Sequence, residues 1–178
     1  MLSADPGAPV VRPADVEAWL ADLGLKPVER AERDGIASWD LVLDGRRRFD
    51  LRVTVILDPA LALICWAHYA PPINDLYRKS YRRLLRWNDE YPFAKFGVGE
   101  DERPLLIVEV PIELAARDGA DGLGVALARI LGIADRLLDE SADWIWLGGR
   151  RPDQTGRASR NDALLDRFAG RLPELFEP

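Results

Sequence analysis

A chain of 178 residues and 20.0 kDa is long enough to bury one apolar core unaided, and its single cysteine and single histidine exclude a disulfide framework and leave a Cys/His zinc site short of ligands. The formal charge of -6 and pI near 4.9 disfavour nonspecific binding to nucleic acid or anionic lipid, surfaces that reward an excess of Lys and Arg. No apolar run approaches the roughly 20 residues of a membrane-spanning helix, and the first residues lack a signal-peptide pattern, so a cytoplasmic protein without membrane attachment or cofactor is expected.

Residues 1–12, with Pro6, Gly7 and Pro9 and little to bury, read as a flexible leader. Pro13 suits a first helical turn, Asp15 and Glu17 favour its positive end, and Val16, Trp19, Leu20 and Leu23 form a stripe that stops at Gly24. Three apolar segments follow, around Ser38–Leu43, Phe49–Leu57 and Leu61–Tyr69, and predict an antiparallel meander. Asp44-Gly45 signals its first turn, lengthened or bulged by Arg46-Arg47-Arg48, and Asp58-Pro59 signals the second. In the middle strand Phe49, Leu51, Val53, Val55 and Leu57 alternate with polar residues, and only Ile56 breaks the polar face; one side is core, the other largely solvent. The third strand is apolar on both faces, with Leu61, Leu63 and Cys65 on one and Ala62, Ile64 and Trp66 on the other. It is either central or covered by another chain.

From Ile73 the spacing predicts an amphipathic helix. Ile73, Leu76, Tyr77, Ser80, Tyr81, Leu84 and Leu85 fall on one side, and Arg78, Lys79, Arg82, Arg83 and Arg86 gather on the other. The helix must stop near Asn88-Asp89-Glu90, because Pro92 disfavours helical backbone at Tyr91. Strands at Phe93–Val98 and Leu105–Ile112 flank a polar connection and form a hairpin. Residues 118–122 read as a turn cluster, Leu123–Leu138 as a second long helix with an apolar face, and residues 148–160 as a polar linker. A tail helix within residues 161–178 places Leu164, Leu165, Phe168, Leu172 and Leu175 at helical spacing.

No constellation declares a reaction. Cys65 and His68 are three apart, and on a strand that spacing sends them to opposite faces, so they read as a buried thiol and an edge histidine. Glu100-Asp101-Glu102 lacks the alternating oxygen ligands of a cation loop, and Gly122-Leu123-Gly124 lacks the third glycine and Lys-Ser/Thr pair of a phosphate loop. The helix cations could meet phosphates, but no aromatic platform is interleaved among them; carboxylates of a protein partner suit them better.

The stretch LLRWNDEYPFAKFGVGEDERPLLIVEVPIE, Leu84 to Glu113, resembles the YbjN family, with Leu85, Trp87, Asn88, Tyr91, Phe93, Val108, Val110 and Pro111 at matching positions. The resemblance covers roughly residues 13–141. It implies an α+β fold like that of the Tir/CesT type III secretion chaperones: helix, three-strand antiparallel meander, helix, β-hairpin, helix. Here that domain would occupy residues 13–147, with the tail helix appended. It also implies a non-enzymatic chaperone-like or regulatory module that binds a protein client, as do dimeric relatives of that fold. Its members are described as sensory transduction regulators, and the family pattern carries no catalytic, cofactor or metal residue to this chain. Candidate partner-binding residues are Ile64 and Trp66 on the sheet, Arg78, Arg82, Arg83 and Arg86 on the helix, and Trp144 and Trp146 beside the linker. The apolar surplus also predicts a homodimer. The alternatives are a small enzyme using carboxylates in a pocket and, behind it, a nucleic-acid regulator.

Overall fold

The computed structural model describes residues 10–69, 78–141 and 157–176, without the side chains of 78–81 and 139–141. Its fold is α+β. A first helix, α1 (Pro13–Asp22), is followed by strands β1 (Glu29–Arg33), β2 (Ile36–Leu43), β3 (Leu51–Asp58) and β4 (Ala62–His68). Helix α2 (Arg78–Glu90) leads to β5 (Lys95–Val98) and β6 (Pro104–Pro111), and α3 (Ile112–Ser141), α4 (Asp162–Ala169) and α5 (Pro173–Phe176) close the described chain. The strands form one antiparallel sheet in the order β1-β2-β3-β4-β6-β5.

Alternation in β2 and β3 buries Ala37, Trp39 and Leu41 beside Val53, Val55 and Leu57 on one face. Leu63, Cys65 and Ala67 of β4 continue that layer, and α3 packs across β4 and β6 to cover it. The two-sided apolar strand is therefore central, between β3 and β6, although it begins at Ala62 and leaves Leu61 exposed in the turn. The helix α1 ends as its sequence implies: Leu25 N–H donates to Leu20 O at 2.8 Å and Gly24 N–H to Ala21 O at 3.0 Å, the paired bonds that close a helix through glycine.

Several expectations change. The meander has a fourth strand, β1, whose residues are all exposed and so carry no apolar alternation to betray it. On α2 the buried stripe is Leu84 and Trp87, continued by Tyr91 just past the helix end, while Leu85 is exposed; the bulky Trp87, three residues after Leu84, rotates the packed face away from Leu85. Residues 118–122 lie within α3, whose backbone breaks at Gly119 (φ 56, ψ -131). Phe93 precedes β5 instead of starting it, with φ 63 and its ring 81% exposed under the Arg129 guanidinium.

Residues 157–160 of the expected linker are fastened to the β2–β3 loop, and the start of the expected tail helix is α4. Leu164, Leu165, Phe168, Leu172 and Leu175 are buried in the common core against α3. Gly124 makes room for this: a Cβ there would sit 2.2 Å from the Phe168 ring. Of the expected leader, Val11 is buried and Arg12 precedes α1. Residues 1–9 and 148–156 lie outside the described residues.

Asn88 gives the matched Trp-Asn motif its physical meaning. Trp87 is buried against Phe96, with ring centroids 5.3 Å apart, while Asn88 Oδ1 accepts the Phe96 N–H at 2.7 Å and Asn88 Nδ2 donates to Phe96 O at 3.2 Å. The side-chain amide thus stands in for a neighbouring strand on the outer edge of β5.

Candidate protein-docking face

The helices cover one face of the sheet, and the residues of the other form cross-strand rungs. One runs Ala31, Ser38, Ile56, Ile64, Glu109; the next runs Glu29, Asp40, Thr54, Trp66, Ile107, Lys95. Ile56, Ile64, Trp66 and Ile107 are half-buried and meet at the centre, ringed by the exposed Arg52, Lys95 and Glu109. Thr54 Oγ1 donates to Asp40 Oδ1 at 2.6 Å, and Lys95 pairs with Glu109, so the rim is partly self-satisfied. Trp66 Nε1 is different: it is buried and has no hydrogen-bond partner among the described residues. So is His68 Nδ1, whose ring lies 6.0 Å from that of Trp66. A hollow beside them has Glu29, Asp40, Arg52, Thr54 and His68 among its lining residues.

Of the residues singled out from sequence, Ile64 and Trp66 are brought together on adjacent rungs. The α2 cations are not brought to them. Leu84 and Trp87 pack with Tyr69 and Phe96 on the helix-covered side, which places α2 on the other side of the sheet. Arg82, Arg83 and Arg86 are exposed there, and Arg86 pairs with Glu90 at 3.3 Å across one helical turn. Arg78 opens α2, its side chain among those not described, and Trp144 and Trp146 lie outside the described residues. Ile107 was missed although it sits in an apolar run; the signal for Ile56 was its break in an otherwise polar face.

The carboxylates that do converge are saturated. Asp44 is fully buried and accepts from Arg160 Nε at 2.7 Å, Arg160 Nη2 at 2.8 Å and the Asp50 N–H at 2.8 Å. Burial alone would raise its pKa, but the Arg160 guanidinium and the backbone N–H groups of Asp50 and Arg160 outweigh it and hold the group down at about 2. Asp50 is bonded by Arg157 and Arg160 in turn. Asp135 accepts the N–H groups of Arg46, Arg47 and Arg48 at 2.7, 2.9 and 2.7 Å. Its burial raises its pKa against the pull of those donors.

Cys65 is on the covered face, where burial pushes its thiol up to about 12, and His68 is on the open one. That thiol is neutral and shielded near pH 7. Among the described residues no group of three His, Cys, Asp or Glu is placed to hold a metal ion, and no helix is long and apolar enough to cross a membrane.

Fold and face together define an α+β module with one sheet face covered by helices and the other left uncovered by the described helices. Residues 12–145 match the model of the YbjN family, described as "putative bacterial sensory transduction regulator". The chain belongs to that family. No curated protein matches it.

Proposed function

We propose that this chain is a non-enzymatic regulatory module that binds a protein client on its open sheet face, in the client-holding manner of the Tir/CesT-type chaperones. The observation that carries the reading is Trp66. Its indole is half-buried among Ile56, Ile64 and Ile107 at the centre of the face. A half-buried indole among isoleucines, ringed by charged residues, is the chemistry of an interface anchor, because a client's side chains can cover the apolar centre while its polar groups meet the charged rim. The family description supports a regulatory setting. No cofactor enters this reading.

The test uses the full chain as bait in native lysate, beside Ile64→Asp and Trp66→Ala variants of matched thermal stability. Proteins held by the parent should fall about tenfold or more on both variants. Equal recovery on all three baits would overturn the reading.

A further inference from the structure

The two edges of the sheet are finished differently. At β5 the outward N–H and C=O of Phe96 are both taken by Asn88. At β1 no described strand occupies the outer side, and all five residues are exposed. The backbone polarity of β1 follows from its turn. Asp34 (φ 54) and Gly35 (φ 82) form a two-residue connection between Arg33 and Ile36, a geometry in which the flanking residues exchange both hydrogen bonds. Such pairs alternate along a ladder, so Glu29, Ala31 and Arg33 face β2. The bond from Val28 N–H to Asp40 O at 2.8 Å agrees, since it shows the Asp40 carbonyl turned toward β1. Arg30 and Glu32 therefore direct their N–H and C=O groups outward.

The sequence of this edge is Glu29-Arg30-Ala31-Glu32-Arg33. Laid antiparallel on a second copy about Ala31, it sets Glu29 opposite the other copy's Arg33, and Arg30 opposite its Glu32. Each pairing occurs twice by symmetry, and the two alanines meet on the axis. Every cross-strand pair joins opposite charges, and the smallest side chain stands where two identical residues must meet. Charged residues on an edge strand ordinarily repel added strands. This arrangement repels a generic strand and matches its own copy.

We propose that two chains associate through β1, about a two-fold axis perpendicular to the sheet, into one continuous antiparallel sheet. Arg30 and Glu32 of each chain exchange main-chain hydrogen bonds with Glu32 and Arg30 of the other. The geometry closes on itself, and Asn88 blocks growth from the far edge, so the product is a dimer and not a fibre. Both open faces then lie on one side, doubling the docking face. The inference goes beyond the client-binding reading, which stands or falls separately.

Sedimentation velocity on the full chain between about 5 and 200 micromolar tests it, a range suited to a small interface. The parent should reach about twice the 20.0 kDa of one chain, and about 1 M salt should shift it toward the single chain. The double change Glu29→Lys, Glu32→Lys makes all four charges positive; Arg30→Glu, Arg33→Glu makes them all negative. Each variant alone should be a single chain, and an equal mixture should restore the dimer. Should the second variant fail to fold by circular dichroism, Glu32→Pro removes an outward N–H while sparing the bonds to β2, and it should abolish the dimer by itself. A parent that stays single throughout the range, or a dimer indifferent to charge reversal and to Glu32→Pro, would overturn the proposal.

Discussion

Two Asp-Gly pairs connect consecutive strands of this sheet, and they have opposite fates. Asp34-Gly35 is an exposed two-residue turn in which both residues adopt positive φ, and everything that specifies it is local. Asp44-Gly45 opens a loop that is stitched to distant elements, with the Asp44 carboxylate buried. Asp44 N–H donates to Asn161 Oδ1 at 2.7 Å, the Ser159 hydroxyl to Asp44 O at 3.0 Å, and the N–H groups of Arg46, Arg47 and Arg48 converge on Asp135 of α3. The same dipeptide is a turn in one place and a knot joining loop, helix and tail in the other. The difference lies in the carboxylates and guanidinium groups that arrive from elsewhere in the chain.

The largest effect should come from breaking the knot at its tightest point. A Cβ on Gly45 would lie 2.4 Å from Asp135 Oδ1, so Gly45→Ala must push the carboxylate off the donors it satisfies. Asp135→Ala removes the acceptor outright and strands three backbone N–H groups. Each change should cost about 3 kcal/mol, read by urea denaturation. Losses below about 1 kcal/mol would mean that water replaces the carboxylate and that the knot is ornamental.

How much of this was legible divides along the same line. The middle strands could be read from Leu51, Val53, Val55 and Leu57, because their alternation is a local record of which face is buried. The candidate face was partly legible, since Ile64 and Trp66 are apolar on the side that β3 shows to be largely polar. The strand Glu29–Arg33 had no apolar record at all; only the Asp34-Gly35 turn announced it. The docking of the tail was hidden for a different reason. Leu164, Leu165 and Phe168 gave the helix by spacing, but the Asp44–Arg160 clamp joins residues more than a hundred apart, and the groove at Gly124 takes the Phe168 ring from outside its own helix.

Next in size is the charge at the centre of the knot. Asp44→Asn keeps the shape and removes the charge that Arg160 holds. The folded pKa of about 2 lies below the ordinary 3.8, so the ionised form is favoured by folding, and the stabilisation is complete above about pH 4 and lost as pH falls through about 2. The parent should therefore exceed the variant by on the order of 2 kcal/mol at pH 7. That gap should narrow as pH falls below about 4. A pH-independent gap would assign the effect to hydrogen-bond geometry instead of charge.

The local turn should respond less. Gly35 has φ 82, and nothing lies within 4 Å of where a Cβ would stand, so Gly35→Ala meets no neighbour and costs only backbone strain, about 1 kcal/mol. Thermal denaturation should show a drop of roughly 2 to 4 °C for a chain of this size. A cost equal to that of Gly45→Ala would erase the contrast between the two loops.

The smallest effect sharpens the comparison furthest, because it has the opposite sign. Asp34 sits at φ 54, a left-handed conformation that asparagine adopts more readily than aspartate, and Asn-Gly is the preferred pair for this turn. Its side chain is exposed and its ion pair with Arg33, at 3.3 Å, is open to solvent, so little is lost when the charge goes. Asp34→Asn should therefore raise the thermal midpoint slightly, by about 1 °C. At Asp44 the same chemical change destabilises, because there the carboxylate is held by the Arg160 guanidinium and by the backbone N–H groups of Asp50 and Arg160. One substitution, Asp to Asn before glycine, thus reads out whether a turn is governed by its own backbone or by its surroundings. Destabilisation at both positions would show that the β1–β2 turn also answers to a distant partner.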